Sequence, residues 1–170
     1  MNIRLLTIGF TQKSAEQFFG LLAGAAVAHV LDIRENRSGQ LSGFAKEQDL
    51  RYFLPRLIGA EYDIEPLLAP SPEIRDAYKA TKDWAAYERS FMAMIDDRRA
   101  GDLIQPERFD RPTALLCSEP TPEKCHRRLV AEYFAARWRP LGHTVEIEHL
   151  VIPKPKKPRT PRMKPAGESP

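Results

Sequence analysis

Thr113-Ala-Leu-Leu-Cys117-Ser-Glu119-Pro-Thr-Pro-Glu-Lys-Cys125-His126-Arg127-Arg128 is the stretch that decides the fold. Its opening, Thr113 to Cys117, is an uncharged and largely apolar run of strand length, as in a strand buried on both faces. Thr121-Pro122 then reads as N-cap and first helical position, which predicts a helix from Pro122 to about Trp138 with Leu129, Tyr133 and Phe134 on its buried side. Two thiols, a carboxylate, an imidazole and a guanidinium thus gather at one strand-to-helix turn. Ligands of open α/β sheets bind outside the carboxyl ends of strands, where a helix start adds free N–H groups. This turn is the expected site.

Working outward toward the N-terminus, Arg4 to Ile8 is a β-like run stopped by Gly9, and Ser14-Ala-Glu-Gln17 has the form of a capping box before Phe18, Phe19 and Leu22. A second run, Ala28 to Ile33, ends in Asp32-Ile33-Arg34, so residues 4–34 read as a right-handed βαβ unit. Glu35 to Gly43 is polar and reads as a mobile surface loop. A helix follows over about Ala45 to Ile58, with a kink or break expected at Pro55. Glu61 to Glu65 is a candidate third strand. Helices are predicted near Pro72–Ala80 and Trp84–Arg99, the second with Trp84, Tyr87, Phe91, Met94 and Ile95 on one stripe. In the last strand, Thr144 to Leu150, Val145 and Ile147 alternate with Glu146 and Glu148, which suits an edge.

The expected fold is a single compact three-layer α/β domain over residues 1–152 with a mostly parallel, Rossmann-like central sheet, followed by a basic tail over 153–170. An apolar fraction of 42% suits a globular domain, and neither a signal peptide nor an uncharged apolar run of about 18 residues is present. Location in the cytoplasm without membrane association is the expectation. The formal charge of +3 is unevenly spread: the tail carries a net +5, leaving about −2 for residues 1–152. Six prolines and six cationic side chains predict an extended, disordered appendage there, and any nucleic-acid binding is expected of it.

The first-strand Gly9, Asp32-Ile-Arg34, Phe44, and Cys117-x-Glu119 followed by Pro122 and Cys125-His126-Arg127 together resemble the domain of unknown function 488 family over roughly residues 4–151. The resemblance implies a compact α/β fold and a shared pocket. Family members commonly carry His directly after the first-strand Gly, where this chain has Phe10.

Three chemistries compete for the motif. Cys117, Glu119, Cys125 and His126 offer ligand types suited to zinc or iron, with Cys117, Cys125 and His126 the candidate ligands of a divalent metal. Against this, the thiols are eight residues apart, and consecutive Cys125 and His126 on a helix would point about 100° apart. A thiol in a helix's first turn beside cations suits nucleophilic catalysis, with Cys117, Glu119, Cys125 and His126 as catalytic candidates. No Cys-x5-Arg loop starts at Cys117, since position 123 is Glu, which argues against a rhodanese or tyrosine phosphatase mechanism. Arg34 and Arg127, oriented by Asp32 and Glu119, could grip a small anionic ligand or nucleotide, and Phe44 could stack on it. For each, a structural role is the competing reading: small core thiols, an internal ion-pair network, a packed Phe44. No dinucleotide or Walker loop is present. The residues indicate an enzyme-like pocket without naming its reaction, and oligomeric state is not legible in them.

Overall fold

A computed structural model describes residues 1–153, leaving aside the side chains of Gln40 and Ser42. Apart from Pro153, the expected disordered tail lies outside the described residues. Five strands, β1 (Asn2–Gly9), β2 (His29–Asp32), β3 (Glu61–Ile64), β4 (Thr113–Cys117) and β5 (Thr144–Leu150), form one sheet in the order β3-β2-β4-β1-β5, every neighbouring pair parallel. Six α-helices intervene: α1 (Ala15–Gly24), α2 (Glu47–Ile58), α3 (Pro72–Thr81), α4 (Trp84–Asp97), α5 (Ala100–Leu103) and α6 (His126–Trp138). Among the described residues no helix is long and apolar enough to cross a membrane.

Side chains alternate across a strand, and the two faces of the sheet accordingly build two cores. Ile3, Leu5, Leu31, Ile33 and Leu115 meet α4 and α6 through Phe91, Ile95, Leu129, Phe134 and Trp138. Leu6, Ile8, Val30, Ala114 and Leu116 meet α1 and α2 through Phe18, Leu22, Leu50 and Leu54. This is the expected three-layer arrangement. All five residues of β4 are buried, as their uncharged composition requires of a central strand, whereas β5 lies at the edge.

Local signals act as read at several points. Ser14 and Gln17 close a reciprocal capping box on α1. Helix α2 runs through Pro55 without ending and stops at Gly59, whose φ of 69° is the left-handed conformation glycine tolerates best. Part of the polar stretch read as a loop folds into two short 3₁₀ turns within Gln40–Ala45, broken by a kink at Gly43.

Strands β1 and β2 run parallel, as the expected βαβ unit requires, and β4 lies between them and pairs with both. One expectation needs correction. Helix α6 begins at His126 rather than Pro122, and residues 118–125 form an irregular turn.

Candidate functional site

The parallel register brings three strand ends to one edge, with Gly9 opposite Cys117 and Asp32 opposite Leu116. Just beyond it, Thr11 donates from its backbone N–H and its hydroxyl to the Ser118 carbonyl (3.1 and 2.5 Å), and Lys13 Nζ reaches the Pro120 carbonyl at 3.3 Å. From below, Arg127 Nη1 donates to the Glu119 carbonyl at 2.6 Å. Gly9 makes room for this clasp: a Cβ there would lie 1.6 Å from the Glu119 oxygen and 2.7 Å from Arg127 Nη1. The irregular turn held from both sides ends at an extended Cys125, the N-cap residue, at φ −143° and ψ 137°. The late helix start follows from these anchors.

The extended Cys125 also removes the angular argument against convergence. Cys125 Sγ lies 3.0 Å from Cys117 Sγ, and His126 Nδ1 lies 3.5 Å from the same Cys117 sulfur. Both cysteines are free and buried. His126 Nε2 faces the Ile33 carbonyl at 3.0 Å, so this nitrogen must carry a proton, while its ring packs 5.6 Å from Phe91. The ligand atoms of Cys117, Cys125 and His126 all fall within 4.8 Å of one another, a spacing at which all three could hold one metal ion.

Charge shapes this cluster. Burial works against a Cys117 thiolate, but the hydrogen bond from Cys125 and the positive charges of His126 and Arg127 outweigh it and hold Cys117 well below the ordinary thiol range. Cys125 moves the opposite way, raised by burial and by the neighbouring Cys117 charge, and remains the donor thiol. His126 is raised by the Cys117 charge despite its burial. Glu119 stands at the mouth with much of its surface in solvent, its carboxyl raised by partial desolvation and by Cys117.

A cavity of about 270 Å³ opens over the cluster, and Cys117, Cys125, His126, Glu119 and Arg34 line it. Sequence reasoning missed much of its remaining wall: Arg75 and Tyr78 from α3, Trp84 and Tyr87 from α4, and Lys124 from the turn. Trp84 and Tyr87 were legible as an apolar stripe, but a stripe does not reveal that one end of it borders an opening. Arg75 left no signal, since a charged residue on a short polar helix reads as solvated.

The other predicted site residues occupy distinct places. Asp32 points to the face of the sheet opposite Cys117, because it is in register with Leu116. There it takes a hydrogen bond from Tyr62 Oη at 2.5 Å and holds Arg34 through Nε and Nη2 (2.9 and 2.5 Å). Arg34 itself is 2% exposed and lies 5.2 Å above the Phe10 ring, and its buried Nη1 has no hydrogen-bond partner. Arg127 does lean back over the N-terminal turn, yet it is 0% exposed and lies behind the cavity wall rather than on it. No carboxylate pairs with Arg127 among the described residues, and its Nη1 reaches Cys125 Sγ at 3.5 Å. Phe44 packs against Phe18 and Phe19 at 5.3 and 6.0 Å, in the core on the α1 and α2 side and away from the cavity.

The model of one family, described as "Domain of unknown function DUF488", matches residues 14–134. The matched stretch is shorter than residues 4–151, over which the resemblance was read, and contains both Asp32-Ile-Arg34 and the Cys117 to Arg127 turn. No curated protein and no solved structure matches the chain.

Proposed function

We propose that this chain, which belongs to the DUF488 family, is an enzyme that uses Cys117 as a nucleophile on a small anionic ligand held over the carboxyl ends of its strands. The observation that carries the reading is the Cys117–His126 pair, 3.5 Å apart on the wall of a cavity that Arg34, whose buried Nη1 has no hydrogen-bond partner, also lines. A thiolate needs a nearby proton acceptor or fixed positive charge to persist at neutral pH, and this site offers an imidazole, a buried guanidinium and a donating thiol. Cys125 is then a hydrogen-bond donor to the nucleophile. Glu119, at the mouth and with its carboxyl raised, is placed to give or take a proton from the ligand. Anion contacts fall to Arg34, Arg75 and Lys124. Arg127 acts behind the wall, holding the turn and adding positive charge to the sulfurs.

Alkylation by iodoacetamide, mapped by mass spectrometry, tests this. Cys117 should be the fast-reacting thiol, with its rate midpoint below the roughly 8.5 of an ordinary cysteine. Inorganic phosphate should slow the reaction, and His126→Asn should return the midpoint toward the ordinary value. A Cys117 that alkylates no faster than an unactivated thiol, with or without phosphate, would sink the assignment.

One observation favours a second reading, a metal centre. His126 presents Nδ1 to the sulfurs while anchoring Nε2–H on the Ile33 carbonyl, the arrangement by which backbone carbonyls orient metal-bound histidines. Two thiolates and one imidazole with a place open toward a cavity match the ligand set of catalytic rather than structural zinc. Stoichiometric zinc, released to a chromophoric chelator and lost in Cys125→Ser, would favour this centre over the free nucleophile.

A further inference from the structure

We infer that the cavity takes a phosphomonoester carrying a planar heteroaromatic ring, the chemistry of a nucleoside monophosphate. This rests on the anion-binding part of the reading above and is independent of whether Cys117 is a free nucleophile or a metal ligand.

The wall is divided in two. On one side stand Arg34, Arg75 and Lys124. Asp32 occupies two nitrogens of the Arg34 guanidinium, which fixes its plane, and leaves the buried Nη1 without an acceptor. Arg75 shows the same incompleteness: Nη1 lies 2.5 Å from Glu35 Oε2, while its buried Nε has no partner. Two guanidinium groups from different elements, each pinned by its own carboxylate and each with a donor unused, border one small space. A tetrahedral oxyanion satisfies donors arriving from separate directions, whereas a planar carboxylate is matched by a single guanidinium fork. Lys124, exposed on the lining and in no ion pair among the described residues, adds a third cation to a wall that also carries Glu119.

On the other side stand Tyr78, Trp84 and Tyr87, packed on one another with Trp84 stacked on Tyr87 at 4.9 Å and Tyr78 edge-on to Trp84 at 5.8 Å. Aromatic walls of this kind hold flat rings by stacking or edge contact. Asn36, also on the lining, spends its Oδ1 on the Ser38 and Gly39 amides, which leaves its amide N–H groups as donors. An amide beside an aromatic wall suits a ring with acceptor atoms on its edge better than a plain hydrocarbon ring. The volume, about 270 Å³, lies just below the roughly 300 to 1,000 Å³ of drug-sized ligand sites and so favours a mononucleotide over a dinucleotide.

Calorimetric titration of the full chain with AMP, ribose 5-phosphate, adenosine and inorganic phosphate tests this. AMP should bind at least tenfold more tightly than ribose 5-phosphate or adenosine. It should quench the fluorescence of Trp84 and not that of Trp138, which is buried in the core, so the quench should vanish in Trp84→Phe. Arg75→Gln should weaken AMP and inorganic phosphate alike by about tenfold, whereas Tyr78→Ala should weaken AMP alone. AMP binding no tighter than ribose 5-phosphate, or binding of inorganic phosphate without AMP, overturns the ring and leaves the anion site standing. Adenosine binding as tightly as AMP, or no binding by any of the four, overturns both. AMP binding unchanged in Arg75→Gln places the nucleotide away from this cavity wall and likewise overturns the inference.

Discussion

The two ends of the sheet are built from similar residue types and finished differently. At the amino end Glu61 and Arg111 pair through both carboxylate oxygens (2.7 and 2.6 Å), and His29, buried at the start of β2, meets Asp63 at 3.0 Å and Thr113 at 3.4 Å. Its polar groups close on one another. At the carboxyl end, among the described residues, lie all the buried side-chain nitrogens and oxygens that lack a hydrogen bond, on Arg34, Glu35, Arg75 and Arg127. Buried polar groups are hydrogen-bonded in the great majority of cases, so an edge that collects the exceptions is where a bound molecule or solvent would complete the bonding.

That contrast can be broken most sharply at Arg127. Its truncation to Ala empties a fully buried volume and frees the Glu119 carbonyl, so Arg127→Ala should cost about 2 to 5 kcal/mol and lower the melting temperature on the order of 10 °C. Its neighbour Arg128 is partly exposed and paired with Glu132 and Glu88, so Arg128→Ala should cost under about 1 kcal/mol. Equal melting temperatures for the two variants would refute the clasp under the turn.

Glycine supplies the next largest effect. Gly9→Ala pushes a methyl into the Glu119 backbone and should destabilise by about 1 to 3 kcal/mol, whereas Gly20→Ala, in α1 with nothing within 4 Å of the new Cβ, should stabilise by about 0.5 to 1 kcal/mol. Opposite signs in denaturant melts are the expected result. A Gly9→Ala protein as stable as the parent would show that the turn is free to move.

The amino end should reveal itself through pH. Burial lowers the His29 pKa, aided by Arg111 and Arg108 and opposed by Asp63, so the folded state prefers the neutral ring. A lowered imidazole stabilises fully above its unfolded value of about 6.5, and that contribution declines as pH falls below it. Melting temperature should therefore drop between pH 7.5 and 5.5, and the slope should flatten in His29→Gln. The smallest effect belongs to the exposed Glu61–Arg111 pair: Arg111→Ala should leave the melting temperature unchanged within error, because solvent and salt screen it.

Layering and most elements were legible in the sequence because they rest on local chemistry: the Ser14 capping box, the uncharged β4, the stripe of α4. What escaped rests on long-range packing. A Thr-Pro pair that ordinarily opens a helix was overruled by Thr11 and Lys13, about a hundred residues upstream, and by Arg127, which together hold the carbonyls of residues 118–120. For the same reason Cys117, Cys125 and His126 were named as a group, but the direction in which they converge was not. Arg127 was read as reaching the ligand because sequence gives the lean of a side chain and not what covers it.

The insertion of β4 between β1 and β2 also sets an order of events. Strand β1 pairs only with β4 and β5, both of which begin at or beyond Thr113, while β2 and β3 can pair with each other much sooner. During synthesis, at about 5 to 20 residues per second, β1 therefore waits roughly 5 to 20 s with both edges open. Pairings of such sequence separation are slow to form in any case. The strand that ends this wait is the one that carries Cys117, so a nascent or stalled chain holds its thiols apart from His126 and Arg34 until the sheet has closed.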